Sequence, residues 1–470
     1  ASTGRVLVSQ WNEARCSLHE LHRFPNRPVM AAGHLHWDIL SLWAEIKAGL
    51  ARYVAEFDQS LAGIGIDTWG VDFGLLDGRG HLIGNPYHYR DPRVDGMLKR
   101  ADEIVTARRI FYETGVQLME QNTLYQLLSM VEDHDPYLSI AETLLMMPDL
   151  FHFWLSGVKA CEQTNASTTQ MLAYHGRSWA IDMLVELRLP AQILPRLVPP
   201  GTVLGEILPS VGREVGLRSA APVIAPGTHD TASAVAAVPD LDEHSAYISS
   251  GTWSLVGVEL QNPIINDRVF RLSFANEHGA GGTIRFLKNI TGMWLLQENQ
   301  RQWQREGLAC DWERLLSTAQ EAPPFRRLLD PDHAAFRHPL NMPLAIQEYC
   351  RDTKQPVPET AGEITRCCLD SLALRYRQVI DTLEELTQRQ IEVIRIIGGG
   401  SRNRLLCQLT ADVCRRPVVA GPAEATALGN LALQAIAAGR VADLASARQI
   451  IGASLRRDYY EPRPDVDVEE

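Results

Sequence analysis

The chain has 470 residues, with 45 Lys and Arg against 57 Asp and Glu, and a formal net charge of −12. This acidic balance argues against a nucleic acid as a general partner of the surface. No apolar run approaches the roughly 20 residues that cross a bilayer, and the first residues lack the apolar core of a signal peptide. We therefore expect a cytoplasmic protein that binds neither membranes nor nucleic acids.

The length exceeds what one hydrophobic core usually supports, so we expect two domains of roughly 200 residues each. Residues 186–226 are rich in Pro and Gly. We place the boundary at their end, which gives domains 1–224 and 225–470. The eight cysteines form no C-x-x-C pair, which argues against structural zinc. Most of them are expected to be buried as small hydrophobic side chains.

The first half mixes strand-like segments with helical ones, as judged from hydrophobic spacing and turn residues. Its predicted elements are a turn at 1–4, a strand at 5–9, a helix at 37–53, two strands with a polar interruption within 64–76, a hairpin turn at 77–80, and helices at 94–110 and 123–133. A hairpin turn at the very start requires an incoming strand, and we therefore expect residues upstream of Ala1.

The second half repeats this style and suggests a duplicated α/β architecture with a cleft between its halves. Its predicted elements are strand–turn–strand segments at 246–260 and 283–288, a helix at 361–388, a strand at 392–397, a helix at 405–413, a strand at 417–420 and a helix at 426–438. Gly439 is predicted to end the last of these helices.

Asp230 is the first candidate for chemistry. It stands between His229 and Thr231, just before a run of small residues. A carboxylate in this position can accept a proton from a substrate hydroxyl. It can equally cap the helix that follows, since Asp is a favoured N-cap residue. The residues alone leave both interpretations open.

Two glycine-containing loops are candidate phosphate or nucleotide sites. The turn Ser249-Ser250-Gly251-Thr252 separates two strands; it can offer backbone N–H groups to phosphate oxygens, and Gly251 permits a positive φ. A plain hairpin turn is the alternative. The run Gly398-Gly399-Gly400 joins a strand to a helix, which suits a nucleotide lying across bare backbone. It matches neither the P-loop nor the dinucleotide spacing, and a tight structural turn is its alternative.

The segment 67–72, Asp-Thr-Trp-Gly-Val-Asp, is a candidate sugar site because it sets an aromatic ring between carboxylates. The alternative is a buried Trp69 in a sheet with Asp72 paired locally, and the residues alone favour it.

Together these segments resemble the FGGY family of carbohydrate kinases, and the resemblance extends over essentially the whole chain. The segments that carry it are ASTGR at 1–5, GIDTWGVDF at 65–73, YRDPR at 89–93, NTLYQL at 122–127, MPDLFHFWLSG at 147–157, TNASTTQ at 164–170, HDTASAV at 229–235, SSGTWSL at 249–255, LKNITGMWLLQ at 287–297 and IGGGSRN at 397–403.

The resemblance implies an α/β fold class with two ribonuclease H-like (actin/hexokinase-like) domains around a catalytic cleft. It implies Mg²⁺-ATP-dependent phosphorylation of the 1-hydroxyl of a small ketose by a monomeric enzyme. L-Rhamnulose is the expected substrate. L-Fuculose and D-xylulose are alternatives, as is a sugar- and nucleotide-binding protein without turnover.

The resemblance also implies roles for individual residues. Asp230 matches the proton acceptor of the family. The positions that match sugar contacts are Gly70, His229, Asp230, Thr231 and Asn289. The positions that match ATP contacts are Ala1, Ser2, Thr3, Gly4, Arg5, Thr252, Gln297 and Gly399. The resemblance assigns no metal ligand to a residue of this chain.

The chain departs from the family at two places. In the family, a strand ending in Asp-Leu-Gly precedes the first phosphate loop, and this sequence begins just after that point. Cys350 and Cys367 match a cysteine pair that is linked in a relative, and we expect this bond to be optional. Cys414 matches one member of a second pair whose other position is Thr410 here, so the second bond is expected to be absent.

Overall fold

The computed structural model describes residues 3–57, 60–308, 310–337 and 339–464. Within these ranges the strands are Thr3–Val8 (β1), His19–Pro25 (β2), Pro28–Ala31 (β3), His34–Trp37 (β4), Phe73–Leu76 (β5), Thr143–Met146 (β6), Cys161–Glu162 (β7), Leu197–Val198 (β8), Thr202–Glu206 (β9), Pro222–Ala225 (β10), Ser245–Ser250 (β11), Trp253–Leu260 (β12), Ala275–His278 (β13), Ile284–Thr291 (β14), Val393–Ile397 (β15), Val418–Ala420 (β16) and Asp458–Tyr460 (β17).

The α-helices of the same ranges are Ile39–Glu56 (α1), Met97–Asp102 (α2), Ala107–Thr114 (α3), Thr123–Glu132 (α4), Tyr137–Ile140 (α5), Met147–Ser156 (α6), Gln163–Ala166 (α7), Ile181–Glu186 (α8), Pro209–Val215 (α9), Asp230–Ala236 (α10), Asp267–Leu272 (α11), Trp294–Arg305 (α12), Trp312–Glu321 (α13), Met342–Asp352 (α14), Ala361–Thr387 (α15), Arg404–Cys414 (α16), Ala425–Ala437 (α17) and Leu444–Ser454 (α18). None of these helices combines the length and the apolar character that a membrane crossing requires.

The chain divides into two compact units, each assembled from separate segments. The first unit contains Ala1–Asp240, Leu260–Phe286 and Ala425–Leu455, and the second contains Leu241–Glu259, Leu287–Glu424 and Arg456–Glu470. The domain boundary near residue 225 stays a prediction.

The first unit is built from short strand pairs packed against helices. β1 pairs with β2 and β5 with β6, both antiparallel. Single parallel bridges join Ile64 to Val223 and Thr68 to His229. These bridges set the segment that follows Ile64 beside the segment that follows β10. Every residue of β5 and β6 is buried, which fixes the end of the 64–76 segment in the core.

The second unit contains a mixed sheet in which residues 287–291 of β14, then β12, β11, β15, β16 and β17, are neighbours in that order. Residues 284–286 of β14 belong to the first unit. β11 pairs antiparallel with β12 and parallel with β15, and β15 pairs parallel with β16. The carboxyl ends of β11 and β15 therefore lie side by side, and each of them runs into one of the glycine-containing loops.

Most predicted helices form where capping residues coincide with hydrophobic spacing. The predicted helix at 361–388 is α15, which begins with a capping box between Thr360 and Glu363. The helix predicted at 37–53 is α1, where the Asp38 side chain accepts a hydrogen bond from the Ser41 N–H at 3.2 Å. Gly439, with φ of 66°, follows α17 as predicted.

Three predictions from the sequence need correction. The first of the two strands predicted within 64–76 is not a strand, because only isolated bridges form there, at Ile64 and Thr68. The single helix predicted at 94–110 is two helices, α2 and α3, because Thr106 begins a new helix by accepting a hydrogen bond from the Arg109 N–H. β1 begins at Thr3, inside the turn predicted at 1–4. Ala1 and Ser2, the other two residues of that turn, lie outside the described residues.

Candidate active site

The backbone brings two of the sequence motifs together in the first unit. The Thr68 N–H donates to the Thr228 carbonyl at 2.9 Å, and the Asp230 N–H donates to the Thr68 carbonyl at 2.8 Å. α10 begins at Asp230 and packs on α17. A Cβ added at Gly429 of α17 would lie only 1.7 Å from the Ser233 carbonyl oxygen. Small residues on both helices therefore hold Asp230 beside the 67–72 segment.

Asp230 does not cap its helix. The N-cap residue of α10 is His229, and no side chain makes a capping hydrogen bond there. The Asp230 carboxylate instead accepts a hydrogen bond from Thr231 Oγ1 at 3.1 Å. Its side chain is 37% exposed, so a ligand hydroxyl can reach it. The arrangement excludes the capping role and suits a proton acceptor.

Asp230 lines a groove of about 850 Å³ within the first unit. Thr3, Gly4 and Arg5 of β1 line the same groove, as does Asp67. Burial raises the pKa of Asp67 to about 7; the charge of Asp230 adds to this rise, and the hydrogen bond from Asn430 Nδ2, at 2.6 Å, opposes it. Arg440 lines the groove as well, which thus holds two carboxylates and two guanidinium groups.

Trp69 of the 67–72 segment is buried, as in the alternative interpretation, but it does not lie in a strand. Trp69 is buried and its ring centroid lies 4.2 Å from that of Trp37. Both indole N–H groups donate to Asp72 Oδ2, at 2.8 and 2.6 Å, and Gln126 Nε2 donates to Oδ1 at 2.9 Å. Burial nevertheless raises the pKa of Asp72 to about 6. Asp72 therefore supports the site from within the core, and Trp69, which is hydrogen-bonded to it, also lines the groove.

Close packing against Thr168 requires a glycine at position 70. A Cβ added there would lie 2.7 Å from Thr168 Oγ1, the atom that accepts a hydrogen bond from the Val71 N–H at 3.0 Å. Only glycine lets this segment approach the Thr168 side chain so closely. A sugar contact at Gly70 stays a proposal.

In the second unit, the Ser249–Thr252 segment forms the hairpin between β11 and β12. Gly251 has no positive φ, so the turn does not use the conformational freedom that this glycine permits. Thr252 Oγ1 donates to Gln297 Oε1 at 3.2 Å, and the Met293 N–H donates to the Gly251 carbonyl at 2.9 Å. The start of α12 is therefore fixed on the hairpin, and two predicted ATP contacts, Thr252 and Gln297, are neighbours.

The glycine run after β15 lies against the same hairpin. Gly398 has a φ of 79°, and a Cβ added at Gly400 would lie 2.0 Å from Ser250 Oγ. Gly398 is therefore favoured by the backbone conformation, and Gly400 is required by its close approach to Ser250. Gly399 is exposed, and a Cβ there would meet no atom within 4 Å. Its bare backbone is thus open to a ligand, on the loop beside the hairpin that carries Thr252.

The sequence matches two family descriptions that together cover most of the chain. Residues 14–237 match the FGGY family of carbohydrate kinases, N-terminal domain, and residues 246–438 match its C-terminal domain. The chain belongs to the FGGY family of carbohydrate kinases. It is therefore a sugar kinase.

Known relatives agree with this assignment. A "Rhamnulokinase" of Bacteroides thetaiotaomicron is 44% identical over 98% of this chain and 94% of its own length. A "Rhamnulokinase" of Pectobacterium atrosepticum is 41% identical over 99% of this chain and 92% of its own length.

A solved structure, ligand-bound xylulose kinase from Lactobacillus acidophilus, superposes with a TM-score of 0.78 at 17% identity, covering 98% of this chain and 94% of that one. At this identity the likeness shows the fold alone. It confirms the predicted α/β fold class with two domains.

The remaining predicted site residues of this FGGY kinase are distributed as follows. Asn289 lies on β14 in the second unit, and His229 and Thr231 flank Asp230 in the first. Ala1 and Ser2, predicted to contact ATP, lie outside the described residues.

The eight cysteines are free, including Cys350 and Cys367. The Cys367 thiol donates a hydrogen bond to Cys350, which raises the pKa of Cys367. Their optional disulfide stays a prediction.

A set of buried charged side chains around Asp230 was not predicted from the sequence. Glu162 is fully buried, and its Oε2 accepts hydrogen bonds from the Thr228 N–H at 2.8 Å and from Thr228 Oγ1 at 2.9 Å. This holds the backbone two residues before Asp230. Arg285, fully buried on β14, approaches His229. The available signal was a charged residue inside an apolar strand, since Arg285 stands between Ile284 and Phe286.

Proposed function

We propose that this chain transfers the γ-phosphoryl group of ATP to the 1-hydroxyl of L-rhamnulose, with Asp230 as the general base. The substrate follows from the relatives named "Rhamnulokinase", which match nearly the whole chain at 44% and 41% identity. The observation that carries the mechanism is the Asp230 carboxylate, which does not cap its helix and is partly exposed on a groove.

Phosphoryl transfer demands positioning and charge stabilisation more than covalent help from the protein. In this proposal, Asp230 accepts the proton of the 1-hydroxyl as the sugar oxygen attacks the γ-phosphorus. Gly70, His229, Thr231 and Asn289 hold the sugar. The bond between the γ-phosphorus and the β,γ-bridging oxygen breaks, so ADP leaves with the charge that its phosphate contacts must stabilise.

We propose that two sets of residues contact the nucleotide. One set is the start of the chain, Ala1 to Arg5, of which Thr3, Gly4 and Arg5 line the groove that contains Asp230. The other set comprises Thr252, Gln297 and Gly399, where the open backbone of Gly399 suits a flat adenosine.

Mg²⁺ is proposed to arrive with the nucleotide. The ion usually keeps several waters and takes one or two protein carboxylates besides the phosphates. In the described part of the chain, no three His, Cys, Asp or Glu side chains form a dedicated metal cluster. Asp67, which lines the groove beside Thr68, fits the role of a single carboxylate ligand. When bound, the ion would neutralise charge on the phosphates.

The test is a comparison of kcat/KM across sugars, because specificity is a ratio of those values. ADP release with Mg²⁺-ATP would be measured for L-rhamnulose, L-fuculose, D-xylulose and glycerol. We expect the highest kcat/KM for L-rhamnulose. A higher value for L-fuculose or D-xylulose would assign the chain to another ketose, and absence of turnover with every sugar would favour a binding protein on the same fold.

A further inference from the structure

A buried ion pair lies directly behind His229, the residue that precedes Asp230. Arg285 on β14 is fully buried, and Glu277 on β13 is nearly so. Arg285 Nη2 lies 2.9 Å from Glu277 Oε2 and 3.1 Å from His229 Nδ1. Arg285 Nε donates to the His278 carbonyl at 3.1 Å. The Glu277 carboxylate thus neutralises the charge of the guanidinium. Hydrogen bonds to the His278 carbonyl and to His229 Nδ1 fix the orientation of the guanidinium toward the imidazole.

This arrangement determines which nitrogen of His229 carries the proton. A guanidinium has only donors, so His229 Nδ1 must accept the hydrogen bond from Arg285. Nδ1 also lies 3.3 Å from Glu277 Oε2, but it is the contact with Arg285 that meets the geometry of a hydrogen bond. The neutral imidazole therefore carries its proton on Nε2.

The protonated nitrogen faces the proposed base. His229 Nε2 lies 3.5 Å from Asp230 Oδ1, and Thr231 Oγ1 donates to the same oxygen at 3.1 Å. His229 Nε2 and Thr231 Oγ1 both approach Oδ1, which leaves Oδ2 for the hydroxyl of the sugar. The contact between His229 and Asp230 is longer than an ordinary hydrogen bond. Catalytic contacts of this kind commonly tighten once substrate is bound.

We propose that Arg285 is a positioning residue that acts through His229: it holds the imidazole with its proton on Nε2, and that N–H fixes the rotamer of Asp230. The proposal rests on the proposed function for the role of Asp230 as a base. Glu277 serves as the counter-ion that allows a permanent charge to be buried at this point.

The experiment compares two changes at the ion pair. Arg285→Lys keeps a cation that can only donate, and it retains the partner of Glu277. The double variant Glu277→Met with Arg285→Met removes the donor to Nδ1 without leaving a buried carboxylate unpaired, and methionine brings no new N–H donor. The tautomer of His229 would be read from proton–nitrogen NMR of protein labelled in histidine, with the His229 signal identified by its loss in His229→Gln. Sugar kcat and KM would be measured on the same samples.

We expect the Nε2–H tautomer in the wild-type protein and in Arg285→Lys, with most of the wild-type kcat in the latter. In the double variant we expect a shift toward Nδ1–H and a fall in kcat of up to roughly 100-fold, the effect of a misplaced catalytic group, with a smaller change in sugar KM. An Nδ1–H tautomer in the wild-type protein, or a fall in kcat without a tautomer change, would overturn the proposal, as would an unchanged kcat in the double variant.

The NMR measurement needs no turnover. An inactive wild-type protein that shows the Nε2–H tautomer would therefore count against the proposed function and would leave the hydrogen-bond assignment of His229 standing. The two failures are distinguishable.

Discussion

The first unit holds its functional residues with buried side-chain hydrogen bonds, whereas the second unit relies on glycine backbone. In the first, Asp72 and Glu162 are fully buried carboxylates that accept hydrogen bonds from the segments leading to the proposed sugar site. In the second, Gly400 approaches Ser250, and Gly399 stays open. One side-chain hydrogen bond, Thr252 to Gln297, links two proposed ATP contacts there.

This difference follows what each ligand offers. A sugar hydroxyl that must lose a proton needs an oriented carboxylate, and orientation comes from side chains that are locked by their neighbours. A nucleotide presents phosphates and a flat base, which bare backbone can approach closely. We therefore expect the first unit to be sensitive to the loss of charged or polar groups and the second to the addition of a Cβ atom.

The largest effect is expected for Asp230→Asn. The amide cannot accept the proton of the hydroxyl, so kcat should fall by roughly 10²–10⁴-fold, the usual contribution of a general base. Sugar binding, measured by calorimetry, should survive because the amide keeps the shape of the side chain. Asp352→Asn, at an exposed position on α14, serves as the control with wild-type turnover. An unchanged kcat in Asp230→Asn would remove Asp230 from the mechanism.

A smaller effect is expected in the pH dependence of stability, through Asp72. Its pKa is raised from 3.8 to about 6 in the folded protein, so the folded state holds a proton that the unfolded state has lost between these values. The stabilising contribution is complete below about pH 4 and is lost as the pH rises through about 6. At roughly 1.4 kcal/mol per pKa unit, the free energy of unfolding should fall by on the order of 3 kcal/mol.

Urea unfolding across this pH range measures that slope. Asp72→Asn cannot ionise, so its free energy of unfolding should lack this part of the pH dependence, while Asp352→Asn keeps it. Equal slopes in the wild-type protein and Asp72→Asn would show that Asp72 is ionised throughout, and hence that its three donors outweigh burial.

The smallest effect is expected at the glycine run of the second unit. Gly400→Ala places a Cβ 2.0 Å from Ser250 Oγ, and such overpacking costs roughly 1–3 kcal/mol. Gly399→Ala meets no atom within 4 Å and should unfold at the wild-type urea midpoint. Adding Ser250→Gly to Gly400→Ala should recover part of the loss.

The Gly399→Ala variant also tests the proposed contact between Gly399 and the nucleotide. Gly399→Ala should raise the KM for ATP and leave the KM for the sugar unchanged, because the added methyl lies on the open face of the loop. Wild-type KM values for both ATP and the sugar in this variant would show that the adenosine does not contact Gly399.

The sequence predicted elements whose signals are local. α15 and α17 were predicted to within two residues at each end, because hydrophobic spacing and capping residues coincide there. The turn at 77–80 formed as predicted, with Gly80 at a φ of 82°. The break between α2 and α3 was missed because Thr106 was not recognised as a cap within an apparently continuous pattern.

The polar support of the site could not be predicted in this way. Arg285, Glu277 and His229 come from three separate elements, and nothing local shows that they meet. Glu162 likewise binds Thr228, which lies 66 residues further along the chain. A family resemblance supplies the residues that touch ligands, whereas the residues that orient them emerge only from the tertiary fold.

The most direct test of the account is to locate the phosphate on the product. The chain would be incubated with Mg²⁺-ATP and L-rhamnulose, and the sugar phosphate examined by proton-coupled phosphorus NMR. In L-rhamnulose only C1 is a primary alcohol, so we predict a phosphorus signal split by the two C1 protons and formed only when ATP and sugar are both present. A signal split by a single proton, or formation of ADP without any sugar phosphate, would contradict the proposed reaction.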